Sequence, residues 1–169
     1  MNPLLSRNRV DSFSGQARLM TIFDRALWHS EGDYPDDLAP ERAATHIGMY
    51  LAWCAEHGLS KPLAGETARD LAERRLTPAA FAENAGNEAV ETAVLTAEGA
   101  AFTLSYYDND GDETRPSYLD DYIDVFWDDG ETIYHVADTW QNYARITPLL
   151  TRRLGEWRAQ HSSIQAPCT

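Results

Sequence analysis

Positive charge is scarce in this 169-residue chain: 14 lysines and arginines stand against 27 aspartates and glutamates, for a formal net charge of −13 at pH 7. Such a chain repels phosphate backbones and anionic head groups at long range, which argues against nucleic acid and membrane surfaces as partners and favours a basic protein. Cysteine is nearly absent. Cys54 falls inside an expected helix and Cys168 is the penultimate residue, so no disulfide framework is expected, and reduced thiols fit a cytoplasmic protein. No stretch reaches the eighteen or so consecutive apolar residues of a membrane span, and the first twenty residues lack the apolar core of a secretion signal. A Gly-x-Ser-x-Gly nucleophile elbow and a glycine-rich phosphate loop are missing, and neither cysteine sits where a thiolate would be favoured. Nucleophilic catalysis is not expected, and neither is a cofactor.

What is present suits a packed interior. The chain is 43% hydrophobic with 18 aromatic residues (5 Trp, 8 Tyr, 5 Phe), and its length fits one domain. Residues 1–19 show no sustained periodicity and are expected to form a loosely held extension, with the globular domain over 20–160 and a flexible tail over 161–169. The first helix is expected from Pro40 to His57, opened by a proline in its first turn and stopped by Gly58. Further helices are expected over about 66–76, from Thr77-Pro78 towards Asn84, after Thr96 as cap, after Ser117 in a capping box with Asp120, and from Thr147-Pro148 onward. Gly99 weakens the helix after Thr96, leaving β-structure over 102–107 as its alternative. The segment TIYHVADTW has β-branched and aromatic content and is expected to be a short strand. The fold class is therefore mainly α with minor β: a compact single-domain helical fold with one short strand or hairpin.

The stretch HSEGDYPDDL offers His29, Glu31 and Asp33 in alternation, and His46 follows on the expected helix. Imidazole and carboxylate groups are metal ligands, so these four residues define a possible site for a small metal-dependent enzyme. Their spacing matches no established metal motif, and the plainer reading is a latch in which loop carboxylates bind backbone amides and His46 pairs with one of them.

Negative charge is concentrated further on. Between residues 108 and 131 lie ten carboxylates (Asp108, Asp110, Asp112, Glu113, Asp120, Asp121, Asp124, Asp128, Asp129, Glu131) and a single Arg115. DNDGDE suggests a calcium loop, but its glycine comes fourth instead of sixth and Leu119 stands where the loop's terminal glutamate belongs. A run of charge usually just faces water. Here it is interleaved with Tyr106, Tyr107, Tyr118, Tyr122, Phe126 and Trp127, a composition suited to meeting a basic partner. Asp108, Asp110, Asp112, Glu113, Asp120, Asp121, Asp124, Asp128 and Asp129 are the expected partner-binding acids, with Tyr122 and Trp127 as anchors. Tyr118, Tyr122 and Phe126 also fall at helical spacing, a stripe suited to burial.

The phrases WHSEGDYPDDL, THIGMYLAW, YLDDYIDVF and DTWQNYARI resemble a bacterial family catalogued as a domain of unknown function, over about Phe23 to Trp157. The resemblance implies a small cytoplasmic protein encoded beside a toxin, and hence an immunity role: binding a cognate toxin whose active-site cleft is basic. It brings no catalytic residues with it. The alternatives that remain are the metal-dependent enzyme and a non-catalytic adaptor.

Overall fold

The computed structural model of the chain describes residues 20–164, apart from 110, 111 and 113. The expected extension over 1–19 and the end of the expected tail, 165–169, lie outside the described residues. The fold is mainly helical with minor β-structure, as its sequence pattern implies. Seven α-helices are joined by a two-stranded antiparallel sheet.

Strand β1 (Ile22–Arg25) pairs with β2 (Ala89–Glu91), with Asp24 opposite Val90 and Arg25 opposite Ala89. The register slips between Ile22 and Asp24. A bulge at such a point re-aims the next side chain, and Asp24 is the strand's one buried residue. Helix α1 (Ala26–Ser30) continues directly from β1 and is anchored by Ala26 N–H donating to Glu88 O.

The central element is α2 (Thr45–Glu56), in which every residue from Thr45 to Cys54 is buried. The helix expected from Pro40 divides: Pro40–Ala44 form a tighter 3-10 turn before α2 begins, and Gly58 follows at φ 72°, the left-handed stop that was expected. Helices α3 (Gly65–Ala72) and α4 (Pro78–Gly86) come next, the latter capped by Thr77 Oγ1 accepting from Ala80 N. α4 packs along α2, and a Cβ at Gly48 would lie 1.9 Å from Pro78 O, so only glycine permits that approach.

Helix α5 (Ala97–Tyr106) is capped by Thr96 and runs through Gly99. A Cβ there would meet Leu59 O at 2.0 Å, so the residue that weakens the helix locally is required by its packing, and 102–106 are helical. Helix α6 (Tyr118–Val125) carries the full capping box of Ser117 and Asp120. The last helix, α7 (Trp140–Ile164), starts seven residues before the expected Thr147-Pro148 and holds Pro148 in its interior. Its cap is Thr139, whose Oγ1 accepts from Asn142 N at 3.2 Å. The buried face of this helix begins with Tyr143 and Ile146, which join Leu150 and Leu154 in the core. Trp53 of α2 reaches α7 through Nε1 donating to Thr151 Oγ1 at 3.2 Å.

The segment expected as a strand is instead a 3-10 turn, Ile133–His135. Tyr134 and Val136 do alternate into the core, which is the period the sequence displays. No strand pairs with them; the Arg42 guanidinium donates to the carbonyls of Tyr134, His135 and Val136 at 3.4, 3.0 and 2.6 Å, taking the place of a sheet neighbour.

No described helix is long and apolar enough to cross a membrane.

Candidate functional site

The acidic segment separates into two faces. Tyr118, Tyr122 and Phe126 point into the core, the stripe that helical spacing implies. Asp121 goes with them: its carboxylate accepts from Tyr106 Oη at 2.8 Å and from Arg153 Nε and Nη2, both at 2.8 Å. This bidentate pair joins α6 to α5 and α7, and the Asp121 hydrogen bond is the largest contribution raising the Arg153 pKa. Asp121 and Tyr122 are thus interior residues, which corrects the expectation that they meet a partner. Ile123 and Asp124, the next two residues, are exposed instead.

On the outer face Asp120, Ile123 and Asp124 of α6 are exposed, and so are Trp127 and Asp128 in the turn that follows the helix. Trp127 is 73% exposed and Ile123 39%. Arg145 of α7 secures the turn that presents Trp127, donating to Asp129 Oδ1 at 2.9 Å and Val125 O at 3.1 Å, with its guanidinium 4.7 Å above the Phe126 ring. The remaining expected acids have other duties. Asp112 pairs with Arg115 at 3.1 Å and receives Thr114, and Asp120 closes the capping box. Asp108 is half-buried, while Asp110 and Glu113 lie outside the described residues. Asp124 and Asp128 make no ion pair among the described residues, so this face keeps its charge.

A second constellation is buried beneath α1. Asp24 Oδ1 lies 2.7 Å from His29 Nε2 and Asp24 Oδ2 lies 3.1 Å from His46 Nε2. Tyr107 Oη donates to Asp24 Oδ2, and Tyr134 Oη is 2.9 Å from His29 Nδ1. Burial alone would raise the Asp24 pKa, but the hydrogen bonds to His29 and His46 outweigh it and hold the carboxyl well below the usual range. Burial lowers the His46 pKa against the pull of Asp24, and burial followed by the Asp24 charge pushes the Tyr134 hydroxyl up to about 12. Three of these groups, Asp24, His29 and His46, could hold a metal ion between them.

Of the four residues singled out as possible ligands, His29 and His46 meet here, but Glu31 and Asp33 stay exposed on their loop. His46 pairs with a carboxylate, as the latch reading requires, yet the partner comes from β1 and not from the loop. Asp24, Tyr107 and Tyr134 complete the cluster from sequence positions up to 110 residues apart. The one local signal was an acid inside the apolar run IFDRAL.

Two depressions beside Lys61–Leu63, of about 280 and 490 Å³, are lined without any His, Cys, Asp or Glu. Neither touches the buried cluster or the acidic face. No curated protein and no solved structure matches this chain. A family described as a domain of unknown function (DUF7832) matches residues 22–136, a span holding both the buried cluster and the acidic face. The chain belongs to that family.

Proposed function

We propose that the protein is an immunity protein that binds and neutralises a cognate toxin in the cytoplasm, docking a basic cleft through the outer face of α6 and the turn after it. The observation that supports this most is the exposed pair Ile123 and Trp127, which accompany the exposed Asp120, Asp124 and Asp128 along α6 and the turn after it. Large exposed apolar side chains ringed by unpaired carboxylates suit an interface in which charge steers the encounter and a buried ring holds the complex. The Arg145 clasp fixes the turn before any partner arrives, which reduces the ordering cost of docking. The toxin itself enters through the family resemblance and the net charge of −13.

The test separates the two ingredients. In cells expressing the toxin encoded beside this gene, the wild-type chain should protect and Trp127→Ala should not. With purified components, Asp124→Lys with Asp128→Lys should slow association about tenfold at low salt and abolish the weakening that salt causes. Trp127→Ala should act on dissociation, speeding it about 30-fold for a loss near 2 kcal/mol. All three positions are exposed, so far-ultraviolet circular dichroism should be unchanged. Full protection by both variants would refute the assigned face.

A further inference from the structure

We propose that Asp24, His29 and His46 form a binding site for one divalent transition-metal ion, with zinc the best match. Each residue offers one ligand atom, and these atoms lie within 4.8 Å of one another. Two imidazole nitrogens and one carboxylate oxygen are a donor set that zinc accepts while keeping a fourth position open. Ligand atoms around a tetrahedral zinc sit about 3.3 Å apart. The two Asp24 oxygens stand 2.7 and 3.1 Å from one Nε2 each, and a single oxygen with both nitrogens spans no more than 4.8 Å, so a shared ion would draw the three ligand atoms together by side-chain rotation.

The surroundings of the three groups support the same assignment. Tyr134 Oη can accept from His29 Nδ1, which would let Nε2 exchange its hydrogen bond to Asp24 for an ion, and Tyr107 Oη orients Asp24; outer partners of this kind fix metal ligands. Nδ1 of His46 has no hydrogen-bond partner among the described residues, and Nε2, which donates to Asp24 Oδ2, would become the ligand on giving up its proton to solvent as the ion binds. Charge points the same way. The Asp24 carboxylate is buried, and both of its ion pairs are to histidines. Arg25 leans instead towards Glu91 at 3.9 Å, and Arg42 is spent on backbone carbonyls. A divalent cation supplies the positive charge that a buried carboxylate otherwise lacks. The His29 side chain is 17% exposed against 1% for His46, so entry is from the α1 side.

The experiment strips the full chain with chelator and titrates it with Zn²⁺ by calorimetry, and with Co²⁺ by visible absorption. One equivalent should bind, the cobalt spectrum should be that of a low-coordinate site, and a hundredfold excess over Kd should raise the melting temperature by about 5–10 °C. His29→Ala, at the solvent edge, should weaken binding at least a hundredfold, and Tyr134→Phe about tenfold, with Asp24 and His46 untouched. Glu31→Gln with Asp33→Asn, both exposed on the loop after α1, should leave both titrations unchanged. If His29→Ala fails to fold, the tenfold weakening in Tyr134→Phe is the deciding result. Absence of binding overturns the proposal, as does binding that survives both cluster variants or is lost in the surface pair.

Discussion

Among single residues, Arg153 and Arg145 look alike in sequence and differ in consequence. Both are α7 arginines paired with an α6-segment aspartate. Arg153 serves Asp121, whose side chain is 6% exposed, whereas Arg145 serves Asp129 at 30%. Removing Arg153 strands a buried carboxylate with Tyr106 as its one remaining donor, so Arg153→Ala should cost about 3 kcal/mol in urea unfolding. Arg145→Ala should cost under about 1 kcal/mol, because water can take over for Asp129. Equal losses would mean that solvent reaches Asp121. Legibility at this scale follows sequence distance. Ser117 and Asp120 were readable because a capping box needs only three residues of spacing. Asp121 was misplaced because its partners lie on other helices. Asp24 passed unnoticed for the same reason: Tyr107 and His46 come to it through tertiary packing.

At the scale of elements, two helical glycines make opposite predictions. Gly48 faces Pro78 O where a Cβ would sit at 1.9 Å, so Gly48→Ala must push α4 off α2 and should destabilise by more than about 3 kcal/mol. Gly155, exposed on α7, has nothing within 4 Å of its Cβ position, and Gly155→Ala should stabilise by about 0.5–1 kcal/mol through helix propensity. Thermal melts of the two variants give the signs directly; a stable Gly48→Ala would mean the α2–α4 contact is not as close as described. Helices that begin with their own cap, α4 to α6, were legible from Thr77, Thr96 and Ser117. The start of α7 was not, since Thr147-Pro148 imitates a cap while Thr139 supplies it. Thr147 Oγ1 lies 3.5 Å from Ala144 O, the carbonyl that Pro148 has no amide to satisfy. The misread strand at 132–140 shows that alternation reports burial. Pairing depends on a neighbour, and there the neighbour is Arg42.

For the molecule as a whole, the family match ends at residue 136 but the folded unit does not. Ile146, Leu150 and Leu154 of α7 fill the core, and Arg145 and Arg153 hold α6 in place. A chain truncated after Val136 should therefore fail to fold, with flat near-ultraviolet circular dichroism and no cooperative melt. A cooperative transition in that fragment would show α7 to be an accessory. The helical class was legible because composition and apolar spacing act over many residues at once.

The same dependence carries a consequence for the order in which the protein is made. The outer face of α6 and the turn after it are translated before the two arginines that set them in position, so a nascent chain exposes Ile123 and Trp127 on a segment that is not yet fixed. At about 5–20 residues per second, the 25 residues of α7 take one to several seconds to add. Until they emerge the chain displays Ile123 and Trp127 without that arrangement, and if this face docks a toxin as proposed, competence to do so arrives with α7.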